Sequence, residues 1–373
     1  MKKVLVTGGA GFIGSHLVDA LVKKRCYKVT VFDNLEPQVH TDGLPEYYNI
    51  RARFIRGDVR NRKQLKEILI DSDIVVHFAA AVGVGQSQYQ IAKYVESNIQ
   101  GTANLLDVLV NEKHNVKKLL IASSMSIYGE GLYECKKCGK VKPPLRNLEK
   151  GEGNNWEPKC PYCKGSLKPV PTPEDTPLIS NSIYAITKKE QEEMSMLIGK
   201  TYGIPVVALR FFNVYGPRQS LSNPYTGVAA IFLSRIKNNK PPVIYEDGLQ
   251  TRDFIWVGDI VNACILSIER EEANYQVFNV GTGNPVSILK VAETLIRHLG
   301  KEGKIHPDIT YKFRKGDVRH CYADITRIKK MLGFKPETNF EEGMKKLINW
   351  AKRAKAVDKF EEASKELKKK KLV

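Results

Sequence analysis

The chain has 373 residues, 42% of them hydrophobic, with 59 Lys and Arg against 41 Asp and Glu and a formal net charge of +18 at pH 7. That length and apolar content exclude global disorder and suit two closely joined lobes, and the absence of any run of about 18 uncharged apolar residues excludes a membrane-spanning helix. Nucleic acid is not an expected partner, because much of the positive excess is one terminal run, Lys365 and Lys368 to Lys371, with no nucleic-acid motif beside it.

The apolar start after Met1-Lys2-Lys3 is broken by four glycines and followed by no small-x-small cleavage site. It reads as a strand and a phosphate loop, not a secretory leader, and the protein as cytoplasmic. Residues 3–7 predict a short buried strand, and Leu17, Leu21 and Val22 give residues 15–24 helical spacing. Between them stand Gly8, Gly11 and Gly14, with Phe12 and Ile13 in the same loop. In that context the first glycine permits a tight turn, the second lets backbone amides approach a pyrophosphate, and the third lets helix pack close on strand. The next strand, residues 29–32, leads into Asp33-Asn34. A carboxylate there accepts from adenosine ribose hydroxyls and repels a 2′-phosphate, so NAD is expected over NADP. Asp58-Val59 follows a further strand, with Asp58 set to accept from the adenine amino group.

Apolar runs at 74–80 and 119–122 alternate with helical stretches, notably 98–110. This is the βαβα order of an α/β fold with a doubly wound parallel (Rossmann) sheet, whose ligands bind at the carboxyl ends of the strands. Ser124 falls just beyond the second run. From 134 to 171 periodicity gives way to lysine, glycine, proline and two knuckles, Cys135-x-x-Cys138 and Cys160-x-x-Cys163. Four thiolates at that spacing suit tetrahedral zinc with no open position, hence a structural ion. Cys26, Cys264 and Cys321 are scattered, which argues against a disulfide framework.

Residues 184–199 predict a charged amphipathic helix carrying Tyr184 and Lys188 at i and i+4, one above the other on one face. A nearby ammonium favours the phenolate, so the tyrosine can take or return an alcohol proton near neutral pH. A strand at 206–210 and helices at 228–238, 287–299 and 324–332 follow. Beyond Trp350 the chain reads as a basic, frayed helix with Ala356, Phe360 and Leu367 as its anchors. The expected division is an NAD-binding domain over 1–133 and 172–215, a zinc ribbon over 134–171, a smaller mixed α/β substrate lobe over 216–350 and a basic tail over 351–373.

Gly8 to Gly14, Ser123-Ser124-x-x-x-Tyr128-Gly129 and Tyr184-x-x-x-Lys188 together resemble the extended short-chain dehydrogenase/reductase family. Further matches are His77-Phe78-Ala79-Ala80, Asn98-x-x-Gly101-Thr102, the run Leu209 to Arg218, and Arg252-Asp253-Phe254, so the resemblance covers all but the insertion and the tail. It implies a nucleotide-sugar epimerase with a bound NAD that takes hydride from one sugar carbon and returns it. Tyr184 would deprotonate the C4 hydroxyl, Lys188 would hold the nicotinamide ribose and lower the Tyr184 pKa, and Ser124 would stabilise the alkoxide and ketone. Phe78, Ala79, Ala80 and Asn98 would sit with the cofactor. Ser126, Asn213, Arg218, Arg252, Arg314 and Asp317 would contact the nucleotide-diphosphate sugar, and a homodimer is the implied assembly.

The family's 4,6-dehydratases carry Asp-Glu immediately after the catalytic hydroxyl residue, and its decarboxylases keep a Glu at the second of those positions. Met125 and Ser126 stand there instead. Val82 occupies the position where galactose-type 4-epimerases carry a lysine. The stretches 222–232, 246–254 and 316–321 are similar to dTDP-L-rhamnose 4-epimerases, which interconvert dTDP-L-rhamnose and dTDP-6-deoxy-L-talose. That reaction is the expectation. The alternatives are a UDP-glucose or UDP-N-acetylglucosamine 4-epimerase and, behind it, a 4,6-dehydratase or an NAD-binding scaffold that recruits a partner through its ribbon.

Overall fold

The computed structural model describes residues 1–146 and 156–373. In chain order, β1 (Lys2–Thr7), α1 (Phe12–Lys23) and β2 (Tyr27–Asp33) open the fold. They are followed by β3 (Arg53–Arg56), α2 (Arg62–Leu69) and β4 (Ile74–His77). Two short helices, α3 (Val84–Ser87) and α4 (Ile91–Tyr94), lead through a wide turn into α5 (Gly101–Asn111) and β5 (Lys118–Ser124). A small ribbon of β6 (Leu132–Cys135), β7 (Gly139–Val141) and β8 (Leu167–Val170) precedes the long α6 (Ile183–Tyr202) and β9 (Val206–Phe211). Next come β10 (Asn213–Tyr215), α7 (Val228–Lys237), β11 (Val243–Ile244), β12 (Thr251–Trp256) and α8 (Val257–Glu269). The rest is β13 (Gln276–Val280), β14 (Pro285–Ser287), α9 (Ile288–His298), β15 (Asp308–Ile309), β16 (His320–Cys321), α10 (Thr326–Leu332), α11 (Phe340–Ala351) and α12 (Phe360–Lys369).

Seven strands form one parallel sheet in the order β3-β2-β1-β4-β5-β9-β13. The order reverses between β1 and β4, which opens a crevice at their carboxyl ends. Both faces are covered, which is why the strands read as unbroken apolar runs. Val4 and Val6 face one core with Leu17 of α1 and Ile260 of α8, whereas Leu5 faces the other with Leu65 of α2 and Leu105 of α5. A separate core joins α7, α9 and α11 through Leu233, Leu295 and Leu347 against Phe254 of β12. There β12 pairs with β10 and β16 in parallel and with β14 antiparallel.

Two boundaries expected from sequence change. Residues 216–350 are not one lobe: α8 packs beside α1, and β13 pairs with β9 as the seventh strand of the main sheet. An edge strand recruited from late in the chain leaves no local signal. The tail is not frayed either, because Ala363 and Leu367 of α12 are buried. Among the described residues no helix is long and apolar enough to cross a membrane.

Candidate active site

The crevice is the mouth of a cleft of about 630 Å³. Its walls run from the glycine turn after β1, past the ends of β4, β5 and β9, to the loops around Arg252 and Arg314.

At one end Gly8 has φ +69°, and a Cβ on it would meet the backbone nitrogen of Ala79 at 2.7 Å. One on Gly14 would meet the carbonyl of Gly8 at 2.3 Å. Gly11 differs: the nearest atom to its Cβ position is Gly8 O at 3.3 Å, so the space before it belongs to the cleft. Gly11 also precedes α1, which has no acidic residue in its first turn. Free amides at a helix N-terminus behind a cradle without side chains fit a diphosphate. Asp33 accepts from the backbone of Ala10 (3.0 Å) and Leu35 (2.9 Å) while still lining the cleft. Its position is therefore tied to the glycine turn itself. Asn34 donates to Asp58 at 3.0 Å, and although burial pulls the Asp58 carboxyl up, bonds from Arg60 and Asn34 hold it at about 2. It is an obligate acceptor. Val59, Phe78, Ala79, Ala80, Phe12 and Ile13 line the same space.

Ser124 ends β5, and Tyr184 stands in the first turn of α6, which Ser182 caps by accepting from Ala185 at 3.1 Å. The Tyr184 amide donates to Ser87 at 3.0 Å, its ring packs edge-on against Tyr94, and its phenol shares the cleft wall with the Ser124 hydroxyl. Ser126 also donates to the Ser124 hydroxyl, at 2.9 Å. Ser124, Ser126, Tyr184 and Lys188 all line the cleft.

Lys188 does not act on Tyr184 as expected. Its ammonium donates downward to Gln191 at 2.8 Å, and burial lowers it to about 7. Burial meanwhile pushes the Tyr184 phenol up to about 12, with the Ser124 hydroxyl pulling the other way. Beneath Lys188 runs a buried chain of hydrogen bonds that can be assigned donor by donor. Gln191 donates to Thr102 at 2.6 Å, and Thr102 donates to the Asn98 carbonyl at 2.7 Å. The Thr102 oxygen must then accept from His77 Nε2 at 3.0 Å, which leaves His77 Nδ1 to accept from Thr7 at 2.8 Å. Burial, with the charge of Lys188, drives His77 down to about 3, so it stays neutral. The glycine strand and the catalytic helix are thereby joined through one imidazole. His77 and Thr102 were visible in sequence as matched positions, but their partnership was not.

Asn98 is placed differently from expectation. It is fully buried behind the cleft wall, where it accepts from Ala81 N at 2.7 Å and donates to Thr187 at 2.9 Å. It positions the cofactor wall and α6 and does not itself line the cleft. Arg218 is a second correction: its guanidinium pairs with Asp19 of α1 at 2.7 Å and stacks over Tyr47, outside the cleft lining. Asn213, Arg252, Arg314 and Asp317 do line the cleft. Arg252 is steadied by the carbonyls of Thr251 and Val318, and Arg314 by Asp317 at 2.8 Å and by the ring of Tyr245. The carbonyl oxygens of Asn213, Gln219 and Gln250 are buried with no partner and also face this end. Such orphaned acceptors take donors such as ligand hydroxyls, and the two arginines beside them take an anionic group.

The inserted segment forms the antiparallel ribbon β7-β6-β8, in which the sulfurs of Cys135, Cys138, Cys160 and Cys163 lie within 4.8 Å of one another. A tetrahedron of thiolate–zinc bonds needs separations of roughly 3.8 Å, so the set fits that ion. Its root is tied to the Arg314 end of the cleft by ion pairs on two buried arginines. Arg146 bonds Glu246 at 2.7 Å, and Arg319, only 1% exposed, bonds Glu157, Glu246 and Asp247.

A doubly wound sheet whose cleft joins a glycine turn to a Ser–Tyr–Lys set defines a dinucleotide-cleft enzyme of the Rossmann type. Residues 4–148 match the model of the NAD dependent epimerase/dehydratase family, and residues 163–347 match that of GDP-mannose 4,6 dehydratase. The chain is 34% identical over 356 residues to the dTDP-L-rhamnose 4-epimerase of Burkholderia thailandensis, spanning 94% of each protein. It is similar to the UDP-glucose 4-epimerase of Thermotoga maritima solved with UDP-glucose (TM-score 0.77, 31% identity, 94% and 99% of the two chains). It is also similar to the UDP-glucuronic acid 4-epimerase of Bacillus cereus solved with UDP-glucuronic acid and NAD (TM-score 0.75, 29% identity, 94% and 99%). The chain belongs to the NAD dependent epimerase/dehydratase family, and it is an enzyme of the isomerase class.

Proposed function

We propose that the chain is an NAD-dependent 4-epimerase of a nucleoside-diphosphate sugar, with dTDP-L-rhamnose and dTDP-6-deoxy-L-talose as its substrate pair. The observation that carries this reading is the convergence of Ser124, Tyr184 and Lys188 on one cleft with a glycine turn built for backbone amides. When bound, NAD supplies the hydride acceptor for C4 and a ring cation beside the phenol. Tyr184 takes the C4 hydroxyl proton and gives it back on the return step. Ser124 donates to the sugar oxygen as its charge develops. Lys188 holds the nicotinamide ribose. Asp33 and Asp58 accept from the adenosine half, and Arg252 and Arg314 grip the sugar nucleotide's diphosphate. Met125 and Ser126 offer no acid or base for loss of water, so the product is the epimer.

The rhamnose assignment is supported by the relative of that name and by the cleft-lining position of Val82 in place of a lysine. A second reading, a UDP-sugar 4-epimerase, is favoured by the solved neighbours that hold UDP-glucose and UDP-glucuronic acid. Proton NMR of the enzyme with dTDP-L-rhamnose and no added reductant should show the talose epimer growing to equilibrium. Brisk turnover of UDP-glucose with dTDP-L-rhamnose untouched would move the assignment to the second reading, and inversion of neither would overturn both. Tyr184→Phe should lower turnover about a thousandfold with folding intact; undiminished turnover would remove the phenol from the mechanism. The four cysteines hold one structural zinc per chain, and elemental analysis of native protein finding none would refute that assignment.

A further inference from the structure

The last helix, α12, lies beyond both family-matched segments, yet it is part of the cleft. Phe360, Ala363, Ser364 and Leu367 face into it. Their spacing of i, i+3, i+4 and i+7 is one helical face, while Lys365, Lys368 and Lys369 on the other sides are exposed. The helix bridges the cleft mouth because its two halves are held by different parts of the molecule. Near its start, Glu361 pairs with Arg235 of α7 at 2.8 Å and Lys240 at 3.2 Å, and the Arg235 guanidinium stacks 4.4 Å over Phe360. Near its end, Glu366 accepts from Tyr89, in the segment between α3 and α4, at 2.6 Å and from Tyr225 at 2.8 Å. Leu367 packs against Gly85 of α3. Farther on, the carbonyl of Leu372 accepts from Lys315 at 3.0 Å, one residue from Arg314.

We infer that α12 is a strap forming the outer wall of the nucleotide-sugar pocket, with Phe360, Ser364 and Leu367 touching the bound substrate and the Tyr89–Glu366–Tyr225 contact latching the strap shut. The N-terminal anchor is ionic, redundant and shared by Asp358, whereas the C-terminal half has one exposed carboxylate between two phenols, the packing of Leu367 and one backbone bond at Leu372. The strap therefore opens at the Glu366 end, beside α3, and closes again over the substrate.

This rests on the epimerase reading, and the test separates the two. The full chain and a chain ending at Ala356 are compared on the nucleotide sugar the full chain turns over best. The truncated enzyme should show a KM raised about tenfold, the loss of one apolar wall, with its NAD content unchanged. Trypsin should cut the lysine-rich end of the full chain more slowly when that nucleotide sugar is saturating. Should the truncated chain fail to fold, Leu367→Ala with an unchanged melting curve replaces it and should raise KM about threefold. A KM within twofold of the full chain's, or tryptic cleavage indifferent to the nucleotide sugar, overturns the strap while leaving the epimerase standing. No inversion of any nucleotide sugar by the full chain sinks the epimerase reading itself.

Discussion

The floor beneath Lys188 and the root of the inserted ribbon are both buried and both charged, but they are wired in opposite ways. At the ribbon root, Arg319 meets carboxylates of Glu157, Glu246 and Asp247, and Arg146 meets Glu130 and Glu246. Each arginine has carboxylate partners, which is how an ion network holds a structure in register. On α6, Lys188 hydrogen-bonds only the neutral Gln191 amide, backed by the neutral Thr102 and His77, while the nearby Glu192 carboxylate is bonded to Arg210. A buried cation left without a carboxylate costs stability, and such groups mark functional sites more often than structural ones. The protein thus fixes its ribbon with ion pairs and leaves one buried ammonium bonded to a neutral amide in the cleft wall.

The sharpest way to break this contrast is to replace each cation with methionine. Arg319→Met should lower unfolding stability by about 3–5 kcal/mol, because it strands buried carboxylates. Lys188→Met should leave stability within about 1 kcal/mol of the wild type while abolishing turnover. Denaturant melts of the two variants check this, and equal destabilisation would erase the distinction.

A smaller effect sharpens it through pH. Unfolded, Lys188 keeps its proton into the ordinary lysine range; folded, burial makes it release near pH 7. Between those values the unfolded chain binds more protons, so the nucleotide-stripped protein should gain stability as pH rises from about 7. Lys142, lowered to about 8 by burial, adds to the same rise. The difference between wild type and Lys188→Met isolates the first contribution. A wild-type profile parallel to that of the variant would mean that Lys188 holds its proton normally.

The smallest expected change concerns the arginines. Arg252→Ala or Arg314→Ala should raise KM for the nucleotide sugar about tenfold, as loss of a charged hydrogen bond does. Arg218→Ala should stay within about twofold, since its guanidinium is spent on Asp19 and Tyr47. A large effect at Arg218 would mean that it swings into the cleft with ligand.

What could be read beforehand follows the same division. The glycine turn, Asp33, the Tyr184 and Lys188 pair and the cysteine knuckles are each set by a few neighbouring residues, so spacing alone disclosed them. The direction of Lys188 was not disclosed, because it depends on Gln191 and Thr102 meeting across two helices, 89 positions apart. Arg218 could not be told from Arg252 by type or position, since its partners Asp19 and Tyr47 come from a distant part of the chain. The strap was misread as a loose end because its lysines dominate its composition, while its partners, Tyr89, Tyr225 and Arg235, come from distant parts of the chain.

The central claim is that the hydrogen at C4 leaves and returns inside the cleft without meeting water. The nucleotide sugar that turns over best, deuterated at C4 and incubated in ordinary water with no added NAD, tests it directly. The account predicts both epimers at equilibrium with the label still on C4, and loss of that label to solvent would contradict it.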